Sequence, residues 1–90
     1  MSRYVRNPEI RLTELEGEGV VLHLGNRRYY TVSSSGLLIL NALEHPRSLD
    51  HLLDLLMETY EVTREEARET ALAFLDECVS NGMVICENGT

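Results

Sequence analysis

Along residues 10–15 the order Ile10-Arg11-Leu12-Thr13-Glu14-Leu15 alternates apolar and polar side chains. That period of two predicts a half-buried strand with Ile10 and Leu12 on one face, and Leu15 breaks the phase at its end. Glu16-Gly17-Glu18-Gly19 supplies the glycines of a tight reversal, and Val20-Val21-Leu22-His23-Leu24 follows, rich in β-branched and apolar residues. A second strand is predicted over 19–24, with Val20, Leu22 and Leu24 facing inward and His23 on the exposed side. Gly25-Asn26 marks another turn, and Arg28-Tyr29-Tyr30-Thr31-Val32 reads as a third strand over 28–32. Tyr30 and Val32 then share one face and Tyr29 and Thr31 the other. The third strand ends the meander, so its outer edge is unpaired unless the terminal tail covers it.

Beyond residue 33 the period changes to about 3.6. Ser33-Ser34-Ser35 offers N-caps to an almost wholly apolar helix over 34–44, containing Leu37, Leu38, Ile39, Leu40, Ala42 and Leu43 and closed by Pro46. Ser48 caps a second helix over 48–60, whose Leu49, Leu52, Leu53, Leu56 and Tyr60 fall on one face. Thr63 and Glu66 form a capping box for a third helix over 63–80, which Asn81-Gly82 stops before a short extended tail at Met83-Val84-Ile85-Cys86. Ala67, Ala71, Phe74, Leu75 and Cys78 make one stripe on that helix, and Leu72 and Val79 widen it. The expected fold is α+β and winged helix-turn-helix-like: a three-stranded antiparallel β-meander followed by three α-helices, in a single domain over 1–90.

Composition narrows the chemistry. Eight Arg, no Lys and fifteen Asp plus Glu leave a formal net charge of -7, which repels a phosphate backbone and argues against nucleic acid as partner. Arg3 and Arg6 precede no apolar run, and no stretch has eighteen consecutive apolar residues, so neither a signal peptide nor a membrane span is expected. Cys78 and Cys86 lack the spacing of a zinc or redox pair and read as reduced thiols of a cytoplasmic protein, with a disulfide between them the minor alternative.

His23, His45 and His51 have no partner at metal-ligand spacing, and no nucleophile elbow, phosphate loop or dinucleotide fingerprint occurs. The serines at 33–35 read as caps, and the charges of 64–77 as a solvated face. No catalytic residue, metal or cofactor is expected. Two features exceed simple core formation: the aromatic third strand with its open edge, and the wide apolar stripe of the third helix.

These segments resemble the PqqD-like family of peptide-recognition elements that serve the biosynthesis of ribosomally made, post-translationally modified peptides. Gly25-Asn26-Arg27-Arg28-Tyr29-Tyr30-Thr31-Val32-Ser33 resembles the family's Tyr-x-Leu-Asn segment, with Val32 and Ser33 in place of Leu and Asn. Ser34-Ser35-Gly36 before Leu37-Leu38-Ile39-Leu40 is similar to the start of its first helix. Arg47-Ser48-Leu49-Asp50-His51-Leu52 is similar to its Arg-Thr-Val-Asp-Glu-Leu segment. Phe74-Leu75 through Gly82-Met83-Val84 resembles the closing Phe-Leu-x-x-Leu-x-x-x-Gly-Leu-Leu pattern. The likeness runs from about residue 8 to residue 86, and the motifs are collinear.

The resemblance implies a non-catalytic protein that binds the leader segment of a precursor peptide by strand addition to the third strand. Arg28, Tyr29, Tyr30, Thr31 and Val32 would offer the pairing edge, and Ala67, Thr70, Ala71, Phe74 and Cys78 the helical wall. A free-standing chain with a double tyrosine resembles the leader-binding proteins of lasso peptide systems more than the quinone-cofactor chaperone. There the implied partners are the precursor leader, a separate cysteine-type leader peptidase and an ATP-dependent cyclase downstream. Two alternatives stand beside it: a winged-helix DNA-binding regulator, and a chaperone for the precursor peptide of the quinone cofactor PQQ.

Overall fold

The computed structural model describes residues 2–88; residue 1 and residues 89–90 of the expected 1–90 domain lie outside them. Its elements are β1 (Ser2–Arg6), β2 (Ile10–Leu15), β3 (Glu18–His23), β4 (Arg28–Val32), α1 (Ser34–Ala42), β5 (Arg47–Ser48), α2 (Leu49–Thr59), α3 (Arg64–Ser80) and β6 (Val84–Asn88). The fold is α+β, with β2, β3 and β4 forming an antiparallel meander in that order, followed by the three helices. A second sheet, ordered β5-β1-β6, ties the two ends of the chain together through pairs such as Arg3 with Glu87 and Val5 with Ile85. Sequence periodicity predicted only an extended tail at its C-terminal end and nothing at 2–6. Pairings between positions some eighty residues apart leave no local signal.

Local chemistry accounts for the boundaries. The β2–β3 hairpin closes through Glu16 and Gly17, whose φ angles of 53° and 84° are the positive values that a two-residue hairpin turn demands. Ser33, Ser48 and Thr63 cap the three helices with side-chain oxygens that accept from the N–H groups of Gly36, His51 and Glu66. The Thr63–Glu66 capping box is reciprocal, the Glu66 carboxylate accepting from the Thr63 N–H at 3.0 Å. These bonds hold the Glu66 carboxyl below its ordinary range. Arg64 reaches from the first turn of α3 to Asp50 and Asp54 of α2 at 2.9 and 3.2 Å. Both pairs are exposed and contribute little to stability.

One core joins the layers. Leu40, Leu43, Leu52, Leu53 and Leu75 are essentially without exposed surface, and Ile10, Val21, Val32 and Val84 bring both sheets to the same cluster. The expected facing of β3 is inverted. Val21 and His23 point inward, at 0% and 8% exposure, whereas Val20 and Leu22 are half-buried and Leu24 is 45% exposed in the turn. His23 is accommodated because its Nδ1 accepts the backbone N–H groups of Gly25 and Asn26 at 3.1 and 3.3 Å. The buried ring thereby satisfies two donors of the β3–β4 turn.

Candidate peptide-binding site

The direction in which β4 turns its backbone follows from one hydrogen bond and two registers. Leu24 donates its N–H to the Glu9 carbonyl at 2.9 Å, just outside the Ile10–His23 pair. In an antiparallel ladder that bond makes Ile10–His23 a non-hydrogen-bonded pair. Backbone groups of successive strand residues point alternately to either side, so Val20 and Leu22 bond β2 while Gly19, Val21 and His23 turn toward β4. Their partners Val32, Tyr30 and Arg28 therefore point back at β3. Tyr29 and Thr31 direct both N–H and C=O outward. Among the described residues no strand pairs with that edge, because β6 pairs with β1 instead.

Beside the edge lies a cavity of about 170 Å³. Its strand wall is Tyr30, Thr31, Val32 and Ser33, and its opposite wall is Phe74, Glu77, Cys78, Asn81 and Met83. A second cavity of about 240 Å³ opens where the start of α1, the end of α2 and the start of α3 meet. Ser34, Ser35, Leu56, Tyr60, Val62, Ala67 and Thr70 line it, and the Tyr60 hydroxyl lies 3.2 Å from the Ser34 Oγ to which it donates. Phe74 stands where α1 approaches α3: its ring lies so close to Gly36 that a Cβ there would meet ring carbons at 2.8 and 3.0 Å. Only glycine permits that approach at Gly36.

The residues expected at the site fall into distinct places. Tyr30 is half-buried in the strand wall, whereas Tyr29 is 73% exposed on the far face of the sheet. Thr31 is exposed at the edge, Val32 is buried, and Arg28 is exposed at the start of β4 and lines neither cavity. On α3, Phe74 and Cys78 belong to the first cavity, Ala67 and Thr70 to the second, and Ala71 to the core without lining either. Cys78 lies behind the cavity surface with 0% exposure. Burial, and then neighbouring Glu77, pushes its thiol up to about 12, so it is a neutral apolar-like wall at ordinary pH. Cys78 and Cys86 are both free.

Several lining residues were not singled out from sequence. Glu77 and Asn81 follow Phe74 at helical spacings of three and seven, which put all three on one side of α3. Leu56 and Tyr60 belong by helical period to the core face of α2, and that face borders the second cavity. Among the described residues there is no group of three or more His, Cys, Asp or Glu arranged to hold a metal, and no helix long and apolar enough to cross a membrane.

Residues 18–84 match the family described as coenzyme PQQ synthesis protein D, PqqD. The chain belongs to the PqqD family. That match begins with β3 and ends at the first residue of β6, so it contains the open edge, both cavities and all three helices. Two solved structures share the architecture. One, described as TbiB1 in complex with the TbiA(beta) leader peptide, superposes with a TM-score of 0.80 at 20% identity, over 89% of this chain and 93% of that one. The other, a lasso peptide synthetase B1 complexed with the leader peptide, gives a TM-score of 0.76 at 25% identity, over 91% of this chain and 96% of that one. No curated protein matches the chain. In fold and family this is a PqqD-like recognition element.

Proposed function

We propose that the protein binds the leader segment of a ribosomally made precursor peptide as an added strand on β4 and delivers it to a separate leader peptidase in a lasso peptide system. The observation that carries this reading is the pairing-competent edge at Tyr29 and Thr31, set against a cavity between β4 and α3. Backbone pairing supplies sequence-tolerant affinity, and alternate side chains of the added strand point toward α3, where the cavity takes an apolar side chain. The lasso reading is supported by the leader peptide bound in the synthetase B1 structure at 25% identity. The family description supports the related reading, a chaperone for the PQQ precursor.

In this scheme the protein performs no bond chemistry. It raises the effective concentration of substrate at the peptidase by holding the leader while the enzyme acts, and an ATP-dependent cyclase follows. The acidic net charge opposes the DNA-binding alternative. The test takes the short precursor and the leader peptidase that the proposal expects beside this chain's gene, and their absence there counts against it. Saturable binding of the labelled leader, together with faster leader removal at low precursor concentration when this protein is added, is expected. A leader that does not bind, or a peptidase indifferent to the protein, refutes the proposal.

A further inference from the structure

The meander has a second free edge, on β2. Because Ile10 and His23 form a non-hydrogen-bonded pair, Arg11, Thr13 and Leu15 turn their backbone groups toward β3, and Leu12 and Glu14 direct theirs outward. At the start of the strand the Ile10 N–H is taken by the Asn7 carbonyl at 3.1 Å, and the Arg11 guanidinium donates to the Ile10 carbonyl at 3.0 Å. Among the described residues no strand lies on that side of β2, and no hydrogen bond reaches the outward groups of Leu12 or Glu14. Pairing with β3 runs without a bulge from Ile10 to Leu15, and β2 contains no proline, so neither of those guards protects the edge.

A hollow of about 620 Å³ lies beside this edge. Val5, Pro8, Ile10, Leu12 and Ile85 give it an apolar lining, and Ile85 is 43% exposed. Arg6, Arg11 and Glu44 also stand on its wall. The two guanidiniums bond backbone carbonyls, Arg6 that of Leu40 and Arg11 those of Pro8 and Ile10, and among the described residues neither is paired with a carboxylate. Residues 1–32 carry five arginines against four glutamates, whereas residues 33–90 carry three arginines against eleven carboxylates. The β2 edge therefore belongs to the part of the chain with a positive balance, and the two arginines beside it favour an acidic segment over a basic one.

We infer, resting on the delivery reading above, that the β2 edge is a second strand-addition site, at which the partner peptidase docks an extended segment carrying an apolar residue beside an aspartate or glutamate. The segment's backbone pairs with the outward groups of Leu12 and Glu14, its apolar side chain enters the hollow, and its carboxylate meets Arg11. Edges β2 and β4 face opposite ways in one three-stranded sheet. Leader and peptidase segments therefore occupy it together, as the outer strands of a five-stranded sheet about 19 Å apart. Delivery requires that simultaneous hold on substrate and enzyme.

The test measures, by biolayer interferometry, binding of the full chain to the leader peptidase that the delivery reading expects beside its gene, for wild type, Glu14→Pro, Glu14→Ala, Arg11→Gln and Arg68→Gln. Circular dichroism checks each fold, and a labelled leader titrated into each variant checks the β4 site. Glu14→Pro removes an outward donor without touching the ladder to β3 and should weaken peptidase binding roughly tenfold or more, whereas Glu14→Ala, which keeps the N–H, should stay within about threefold of wild type. Arg11→Gln, which leaves the strand's backbone intact, should lose roughly threefold to tenfold, and exposed Arg68 on α3 serves as the control with no loss. Leader affinity should be unchanged throughout. Peptidase binding that ignores both Glu14→Pro and Arg11→Gln, or leader binding that falls with them, overturns this inference alone. A wild-type chain that binds leader but no peptidase, or a gene with no peptidase beside it, overturns the delivery reading as well.

Discussion

Replacing Thr31 by proline isolates the backbone contribution of the β4 edge. The Thr31 N–H points away from β3, so proline removes no bond of the existing ladder, and edge positions with outward N–H groups are where strands accept proline. The preceding Tyr30 is already extended, as the residue before proline requires. Tyr29 and Thr31 together offer two donors and two acceptors, and an added strand can use all four. Losing one donor removes a net bond of about 0.5–1.5 kcal/mol and leaves a desolvated leader carbonyl unpaired, while the ring presses on the incoming chain. A total of about 2 kcal/mol follows, on the order of thirtyfold in Kd. Fluorescence anisotropy with a labelled leader reads the loss, and thermal melts followed by circular dichroism should show a folded variant close to wild type. Thr31→Ala, which keeps the N–H, should bind within about threefold of wild type. Tyr30→Pro, which breaks the ladder to β3, should instead unfold or melt far lower. A folded Thr31→Pro protein that binds like wild type refutes an outward Thr31 N–H as the leader's donor, or strand addition itself.

Three further outcomes test the surrounding structure. His23→Ala deletes a buried ring and orphans two turn N–H groups, and should cost about 2–4 kcal/mol in urea unfolding; a loss below about 0.5 kcal/mol contradicts the cap role. Ellman titration of the native protein should find one fast thiol, exposed Cys86, and a second only after denaturation, because Cys78 is buried with its thiol pushed up to about 12; two fast thiols contradict this. Thr63→Ala should lower stability by about 1 kcal/mol through loss of the cap. The Glu66 carboxyl is held low in the folded state, so its contribution is present above the ordinary carboxylate range and lost as pH falls through its folded value. Thermal melts across pH 3–7 should therefore show a smaller acid loss in Glu66→Gln, which removes the titrating group, than in wild type, and equal losses would assign the acid response elsewhere.

The helices were legible because their ends are written in local chemistry. Ser33, Ser48 and Thr63 each stand where a cap must stand, and each makes the expected bond. The 34–44 helix ends two residues early, with Leu43 as its cap, since Glu44 already enters the turn before Pro46. The second strand lost one residue at Leu24 for a related reason: its N–H bonds Glu9 while its side chain sits in the turn. The phase of that strand was not legible. Val20 to Leu24 offers apolar residues on both faces, and the choice is made by the turn at Glu16-Gly17, which fixes register, and by the two N–H groups that make burial of His23 acceptable. Tyr30 against Tyr29 was ambiguous in sequence and follows from the β3–β4 register. The α3 stripe read as one broad wall, whereas the approach of Phe74 to Gly36 lies between two separate cavities, a packing event between residues far apart in the chain.

Amide hydrogen exchange resolved by residue reads strand addition at the β4 edge directly. In the free protein Tyr30 and Val32, bonded to β3, should exchange slowly, while Tyr29 and Thr31 exchange quickly. Saturating leader peptide should slow Tyr29 and Thr31 selectively, giving protection along all of β4. Bound leader with Tyr29 and Thr31 still exchanging at their free rates would contradict strand addition at this edge.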